Sequence, residues 1–456
     1  MDKKLKKALK SVVGQENFSE GEVQRFCYSY DATRLQYEPD VVVLAENARQ
    51  VAEIVRLANE HRTPVFPRGA GSGFTGGSLP TKGGIALCLT KMNHIKSIDM
   101  ANLVATVEPG VVNADLRKAV ESKGLYYPPD PASLEFSTIG GNVAECAGGP
   151  TCVKYGVTRS YLLGLEVVLG TGETIRAGGT LVKNVAGYDL VRLLCGSEGT
   201  LGVITEVDLR LIPLPEDKIT IMAVFSSVEE AAKTVAKIIE SRILPAALEF
   251  MDGTCIRAVE QYKQMGLPTH AGAVLIVEAD GPTRVLADEL RRIESVCKEC
   301  GAISVESANE EDARERLWRA RRALSSAVSS LAPRKVNEDV AVPPSRIPDL
   351  LRRIGEVAEE MGLVIANFGH AGDGNIHVNI LYDPDVDGMQ ERAQKAAAQV
   401  FEIALELEGT ITGEHGVGIT KVEFLEKQIG RAQLELMRGV KQTFDPNNIL
   451  NPGKVF

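Results

Sequence analysis

The sequence predicts an α+β fold in more than one domain, and three observations carry that prediction. A chain of 456 residues, 44% hydrophobic and 25% charged, reads as soluble and globular and is too long for one ordinary core. From about residue 40 to 215, short apolar runs alternate with glycine turns. VVVLA at 41–45, ARQVAEIVRLANEH at 48–61 and the following TPVFPRG read as strand, helix and strand. After Pro213 and Pro215 the texture changes. KITIMAVF at 218–225 reads as a strand, and Ser226 and Ser227 with Glu229 and Glu230 open a helix to about Ile239. PAALEFMD, AGAVLIVEADG and a helix from Thr283 to Cys300 continue it, an order that predicts a ferredoxin-like α+β layer.

These readings divide the chain into an N-terminal helical segment at 1–36, a glycine-rich domain at 37–216, a second domain at 217–415, and a tail at 416–456 returning to the first domain. No internal repeat is visible. The net charge of −10 argues against a nucleic-acid partner, which needs clustered Lys and Arg. No apolar run reaches the roughly 18 residues of a membrane span, and MDKKLKKALKSVV lacks the apolar stretch of a signal peptide. Leu5, Ala8, Leu9, Val12 and Val13 fall at helical spacing there, predicting a helix docked on the body with its lysines outward. Eight scattered cysteines point to a reducing cytoplasm rather than a disulfide framework, and the single Cys297-x-x-Cys300 reads as structural.

Residues 71–76 spell G-S-G-F-T-G, the letters of a dinucleotide-binding turn. That turn needs a helix directly after it to carry the pyrophosphate. Here GGSLPTKGG follows, with an interior proline, and IALCLT then resumes as a strand. Asp99 is only a loose match to the acidic residue of the fingerprint. What remains is a loop of unobstructed amides able to wrap a diphosphate. A second small-residue stretch runs from PPDPAS at 128–133 through STIGGNVA to Gly148-Gly149, and a third is GSEGTLGVI at 196–204. Three such loops in one domain suit a large ligand lying across the backbone.

PRGAGSGFTGG, STIGGNVAECAGG and GSEGTLGVITEV resemble the FAD-binding domain of the vanillyl-alcohol oxidase-type flavoproteins. Within that superfamily the chain is similar, from about Tyr37 to Phe456, to the FAD-binding subunit of glycolate oxidase and the D-lactate dehydrogenases. The resemblance implies a two-part FAD-binding domain with the α+β layer as a cap over the substrate. It implies that Pro67, Arg68, Gly69, Ala70, Gly71, Ser72, Gly73, Thr75, Gly76, Gly77 and Ser78 cradle the pyrophosphate. Pro131, Ser133, Thr138, Gly140, Gly141, Asn142, Ala144, Gly148 and Gly149 would line the dinucleotide, with Gly199, Val203 and Ile204 near the adenine half. Asn451, in NPGK, would approach the flavin. Several relatives attach flavin through a histidine in the first loop; Ser72 stands at about that point here, which implies non-covalent FAD.

Three of the six histidines lie between 370 and 415. His370-A-G-D-G-N-I-His377-V-Asn379 is followed, after a helical stretch, by G-Glu414-His415-G. His377 and Asn379 share one face of a strand, and a glycine turn can bend His370 back toward His377. Glu414 and His415, adjacent in an extended segment, are expected to point to opposite sides, one to a metal and one to substrate. Two imidazoles and one carboxylate leave open positions on a divalent ion, as catalysis requires, and suit Zn, Mn, Fe or Co. H-x6-H and G-E-H-G resemble the metal and base motifs of the 2-hydroxy-acid dehydrogenases.

The expected chemistry is oxidation of a D-2-hydroxy acid, of D-lactate or glycolate type, to the 2-oxo acid. A metal on His370, His377 and Glu414 polarises the hydroxyl, His415 takes its proton and the hydride passes to flavin N5. LWRARR at 317–322 resembles the family's W-x-x-R segment and points to Arg321 as the carboxylate clamp, with Asn379 a further substrate contact; the role of Lys335 stays open. The chain has no cysteine cluster for an iron–sulfur centre, so electrons leave for an external acceptor, oxygen among the open alternatives; the resemblance implies an iron–sulfur subunit, an electron-transferring flavoprotein or a quinone pathway. Such a partner would tether a cytoplasmic protein at the inner membrane, and a homodimer stays open. Of two rival functions, a metal-free sugar or lactone oxidase leaves His370, His377 and Glu414 without a task, and a non-catalytic electron relay leaves Glu414 and His415 idle.

Overall fold

Leu5, Leu9 and Val13 recur on one stripe of helix Lys3–Val13 and are fully buried, while Lys3, Lys4, Lys7 and Lys10 are exposed. In the structure, a computed structural model describing residues 1–308 and 310–456, this helix packs on helix Ala48–Glu60 within a core shared with strand Val41–Leu44. The chain divides into two compact units. One comprises residues 1–147, 157–214 and 414–456; the other comprises 148–156 and 215–413.

The first unit holds two sheets. Strands Phe18–Ser19, Val41–Leu44, Ile85–Cys88 and Val65–Arg68 form a small sheet in which the last three run parallel. Their all-apolar sequences, Val-Val-Val-Leu and Ile-Ala-Leu-Cys, are those of strands covered on both faces. Between Arg68 and Ile85 the chain forms turns and no helix, so the G-x-G-x-x-G stretch is a loop between parallel strands. A second, antiparallel sheet runs in the order Ile95–Asp99, Val104–Val107, Val203–Arg210, Leu162–Val168, Thr174–Gly178.

The second unit is built on one antiparallel seven-stranded sheet, ordered Ser304–Ala308, Asp217–Phe225, Ala273–Gly281, Ala247–Asp252, Val364–His370, Asn375–Tyr382, Arg334–Ala341. Its first four strands, with helices Val228–Glu240 and Thr283–Glu299, follow the ferredoxin-like order 4-1-3-2. The expectation of no internal repeat is corrected here. Strand Arg334–Ala341, helix Ile347–Met361, strands Val364–His370 and Asn375–Tyr382 and helix Met389–Glu406 repeat the arrangement without its last strand. The two copies join through their second strands, which place Glu249 opposite His370. Residues 148–156 are tied to this unit by Lys154 and Tyr155, whose side chains both donate to the Asp280 carboxylate.

Candidate functional site

In the first unit, three chain segments converge on one cavity. Its floor and walls come from residues 67–74 and 77–78, from Pro131 to Asn142 with Ala144, Glu145 and Ala147, and from the turn at Glu198 and Gly199. The loop at 67–78 is braced from behind by Arg68. Its buried guanidinium donates to the Tyr30 carbonyl at 2.8 Å and to Ser78 Oγ at 3.3 Å. Gly71, at φ +71°, leaves no room for a Cβ against that guanidinium. Gly140 lies equally close to Pro109, where a Cβ would sit 2.5 Å from the proline's own. Among the described residues, two buried polar atoms of the lining, Ser137 Oγ and Asn142 Nδ2, have no hydrogen-bond partner. Buried donors seldom stay unpaired. A glycine cradle with spare hydroxyl and amide groups fits the diphosphate and ribityl oxygens of FAD.

Most of the anticipated cofactor residues line this cavity: Pro67, Arg68, Gly69, Ala70, Gly71, Ser72, Gly73, Gly77, Ser78, Pro131, Ser133, Thr138, Gly140, Gly141, Asn142, Ala144, Gly199 and Ile204. Six lie elsewhere. Val203 faces the hydrophobic core, because strand alternation turns it away from the side that Ile204 takes. Thr75 is buried with its hydroxyl on the His415 carbonyl at 3.1 Å, and Gly76, at φ +78°, turns the chain toward Ile419. Asn451 is a brace, its amide donating to the carbonyls of Gly77 at 2.8 Å and Glu198 at 2.6 Å. Gly148 and Gly149 belong to the segment carried by the second unit.

The cavity also takes Phe74, Leu89, Pro109, Glu145 and Glu198, which sequence reasoning did not select. Leu89 and Pro109 follow strands directly and carry no chemical signature. Glu198 did carry one, a charge inside a tight glycine turn. Burial raises its carboxyl, partly offset by the amides of Val417 at 2.8 Å and Gly418 at 2.7 Å and by the charges of Lys421 and Lys454.

Glu414 and His415 line the same cavity. The expectation that they point to opposite sides is corrected. The chain bends at 413–415 with Gly416 at φ +84°, and Glu414 Oε1 stands 3.9 Å from His415 Nε2. The His415 ring stacks on Phe74, centroids 4.9 Å apart.

In the second unit, His370 ends strand Val364–His370, a turn of Ala371–Asp373 follows, and His377 returns on the antiparallel strand. The turn closes on Gly374, at φ +88°, whose Cβ position is filled by the Val342 carbonyl. The two imidazoles are edge to face with centroids 5.2 Å apart. His370 Nδ1 lies 2.8 Å from Glu249 Oε1, within hydrogen-bond distance, and Arg321 Nε donates to Glu249 Oε2. Burial opposes the charge on Glu249, yet Arg321 and His370 together hold its carboxyl below the ordinary range. Arg321, in helix Glu311–Ser329, is buried, with its terminal nitrogen 3.5 Å from His370 Nδ1 and its guanidinium over the Phe368 ring. Asn379 is fully buried, accepting from Asn337 at 2.8 Å and donating to the Ala366 carbonyl at 3.2 Å. Lys335 donates to Ser325 Oγ at 3.2 Å.

At the end of the 215–413 segment, the Gly413 amide donates to the carbonyl and carboxylate of Asp339, the residue paired with His377. The next residue is Glu414. His370, His377 and Glu414 together offer two nitrogens and one oxygen, a donor set that suits a divalent transition metal.

A glycine cradle of this kind beside a histidine, on this two-sheet unit, defines a flavin-dependent oxidoreductase. The chain belongs to the FAD-linked oxidases: residues 39–178 match the FAD binding domain, and residues 214–455 match the family's C-terminal domain. It is 47% identical over 455 residues to a glycolate oxidase subunit GlcD of Bacillus subtilis, covering 100% of this chain and 97% of the relative. It is 38% identical to a D-lactate dehydrogenase of Anaerostipes hadrus, covering 91% and 89%. Among solved structures, a 4-ethylphenol oxidase from Gulosibacter chungangensis superposes with a TM-score of 0.81 at 20% identity, over 99% of this chain and 96% of that one, a likeness of fold. The cofactor is FAD. Among the described residues no helix is long and apolar enough to cross a membrane.

Proposed function

We propose that this chain oxidises a D-2-hydroxy acid of the D-lactate or glycolate type to the 2-oxo acid, with metal assistance. The observation that carries the reading is the bend at Glu414 and His415. It sets an imidazole in the wall of the cavity, and one residue earlier stands the carboxylate that would complete a donor set with His370 and His377. The names of the relatives, a glycolate oxidase subunit and a D-lactate dehydrogenase, support the substrate class.

FAD, when bound, supplies a hydride acceptor at N5. A divalent metal on His370, His377 and Glu414 would supply a Lewis acid for the substrate's hydroxyl and carboxylate oxygens. His415 takes the hydroxyl proton, since an imidazole exchanges protons near neutral pH and Phe74 holds this ring in one orientation. Arg321 supplies a positive charge beside His370 for the substrate carboxylate, and Asn379 an amide on the His377 face. Ser72 in the first loop leaves FAD non-covalently held. Electrons leave to an external acceptor, and the word subunit in the relative's name supports a partner protein in that role.

The test is anaerobic bleaching of the flavin absorbance by D- and L-2-hydroxy acids, before and after chelation. Bleaching by a D-acid that chelation removes and a divalent metal restores is the expected result. Bleaching that ignores chelation discards the metal, and no bleaching by any acid discards the substrate class.

A further inference from the structure

We propose that Glu249 is the positioning residue of the histidine site, fixing the tautomer of His370 and the placement of Arg321 at once; this rests on the metal-assisted reading above. Glu249 lies in strand Ala247–Asp252, every residue of which is buried, and it is 0% exposed. A carboxylate in such a place is costly unless its oxygens are fully used. Asp252, the strand's other acid, is accounted for by the fold: it caps helix Gly253–Tyr262 through the Cys255 amide and accepts from the Asn367 amide at 2.6 Å. Glu249 has no backbone task of that kind. Its two oxygens go to His370 and Arg321, on two different elements, and strand register sets it directly opposite His370.

The geometry decides the tautomer. His370 Nδ1 faces a carboxylate oxygen at 2.8 Å and an Arg321 nitrogen at 3.5 Å. The nearer contact dominates, and an ionised carboxylate only accepts, so the proton sits on Nδ1 and the lone pair on Nε2. A carboxylate behind a ligating imidazole orients the ring and raises its basicity. On its other oxygen, Glu249 pins Arg321, whose guanidinium would otherwise be a buried cation without its anion.

A purely structural ion pair makes a different prediction from a positioning carboxylate, because it suffers equally from loss of either partner. The experiment compares cobalt(II) affinity of chelator-treated, FAD-loaded protein by calorimetry and by the visible spectrum of the bound ion. Wild type should bind one ion, and Arg321→Met should bind it at least as tightly, since a nearby cation is gone. Glu249→Gln keeps an acceptor oxygen but loses the charge and should bind several-fold more weakly. The double variant Glu249→Leu/Arg321→Met removes the buried pair without leaving an unpaired charge. It should keep its FAD and bind cobalt about 10- to 100-fold more weakly. Equal affinity in wild type and the double variant overturns the role of Glu249 and leaves the metal reading standing. If the double variant does not fold, Glu249→Gln decides, and wild-type affinity there overturns the role. A wild-type protein that binds no ion overturns both.

Discussion

The imidazole of His415 lies over the ring of Phe74, centroids 4.9 Å apart and planes inclined by 28°. Phe74 comes from the glycine loop that lines the cavity, so the loop proposed to hold the cofactor also stacks on the proposed base. His415→Ala should lower the anaerobic rate of flavin reduction by about 10²- to 10⁴-fold with the flavin spectrum intact. Phe74→Ala removes the ring stacked on the imidazole and should lower the rate by about 10- to 100-fold. Stopped-flow reduction with a D-2-hydroxy acid measures both. Reduction at wild-type speed in His415→Ala would remove it as the base.

The cavity lining separates glycines needed for packing from glycines left open. At Gly140 a Cβ would meet Pro109 at 2.5 Å, whereas at Gly73 nothing lies within 4 Å. A proline cannot rotate out of the way. Gly140→Ala should therefore destabilise by about 1–3 kcal/mol and lower the FAD content of purified protein. Gly73→Ala should leave the melting temperature of the FAD-free protein unchanged. The reverse order of stabilities would contradict the packing described for this loop.

Much of the architecture is legible from local rules. Pro80 and the surrounding glycines forbid the helix a dinucleotide turn needs, and the chain is indeed a loop there. The three glycine loops, read together, point to the cavity that the structure builds. Other features are not local. The same-sided placement of Glu414 and His415 depends on the bend at Gly416, and an extended segment was the natural expectation. Glu249 is hidden inside a run that scores simply as a strand, because its partners lie 72 and 121 positions away. The duplicated half of the large sheet is a repeat of strand order without a repeat of residues. Val203 is different, since alternation alone shows that Val203 and Ile204 cannot both face one ligand.

Lys454 gives a stability signature in alkaline solution. It is 1% exposed, donates to the Leu79 carbonyl at 2.6 Å and lies over the Phe66 ring. Burial pushes its ammonium down from 10.5 to about 8, against the opposing pull of Asp31 and Glu198. The unfolded chain then holds the proton that the folded chain gives up between these values. Stability from this group is lowest below pH 8 and rises through pH 8 to 10.5, by on the order of 3 kcal/mol. Lys454→Met should lose that rise relative to wild type in urea unfolding at pH 7.5 and 9.5. An identical pH dependence in the two proteins would show that Lys454 stays protonated across the range.

Asp339 offers the means to test how Glu414 is delivered. It is fully buried on strand Arg334–Ala341, in register with His377, and its carboxylate accepts from the Gly413 amide at 2.9 Å and the Thr412 hydroxyl at 3.1 Å. These bonds fix the backbone one residue before Glu414, the proposed third metal ligand. Asp339→Asn keeps an acceptor oxygen and should hold cobalt(II) within about threefold of wild type. Asp339→Ala removes the carboxylate contacts to Gly413 and Thr412, leaving the Asp339 carbonyl on the Gly413 amide, and should weaken metal binding by about tenfold, in the range of other lost supports of ligating groups. The FAD content should stay constant in both, since Asp339 belongs to the second unit and the flavin loops to the first. Equal metal affinity in Asp339→Ala and wild type would mean that Glu414 finds its place without this anchor.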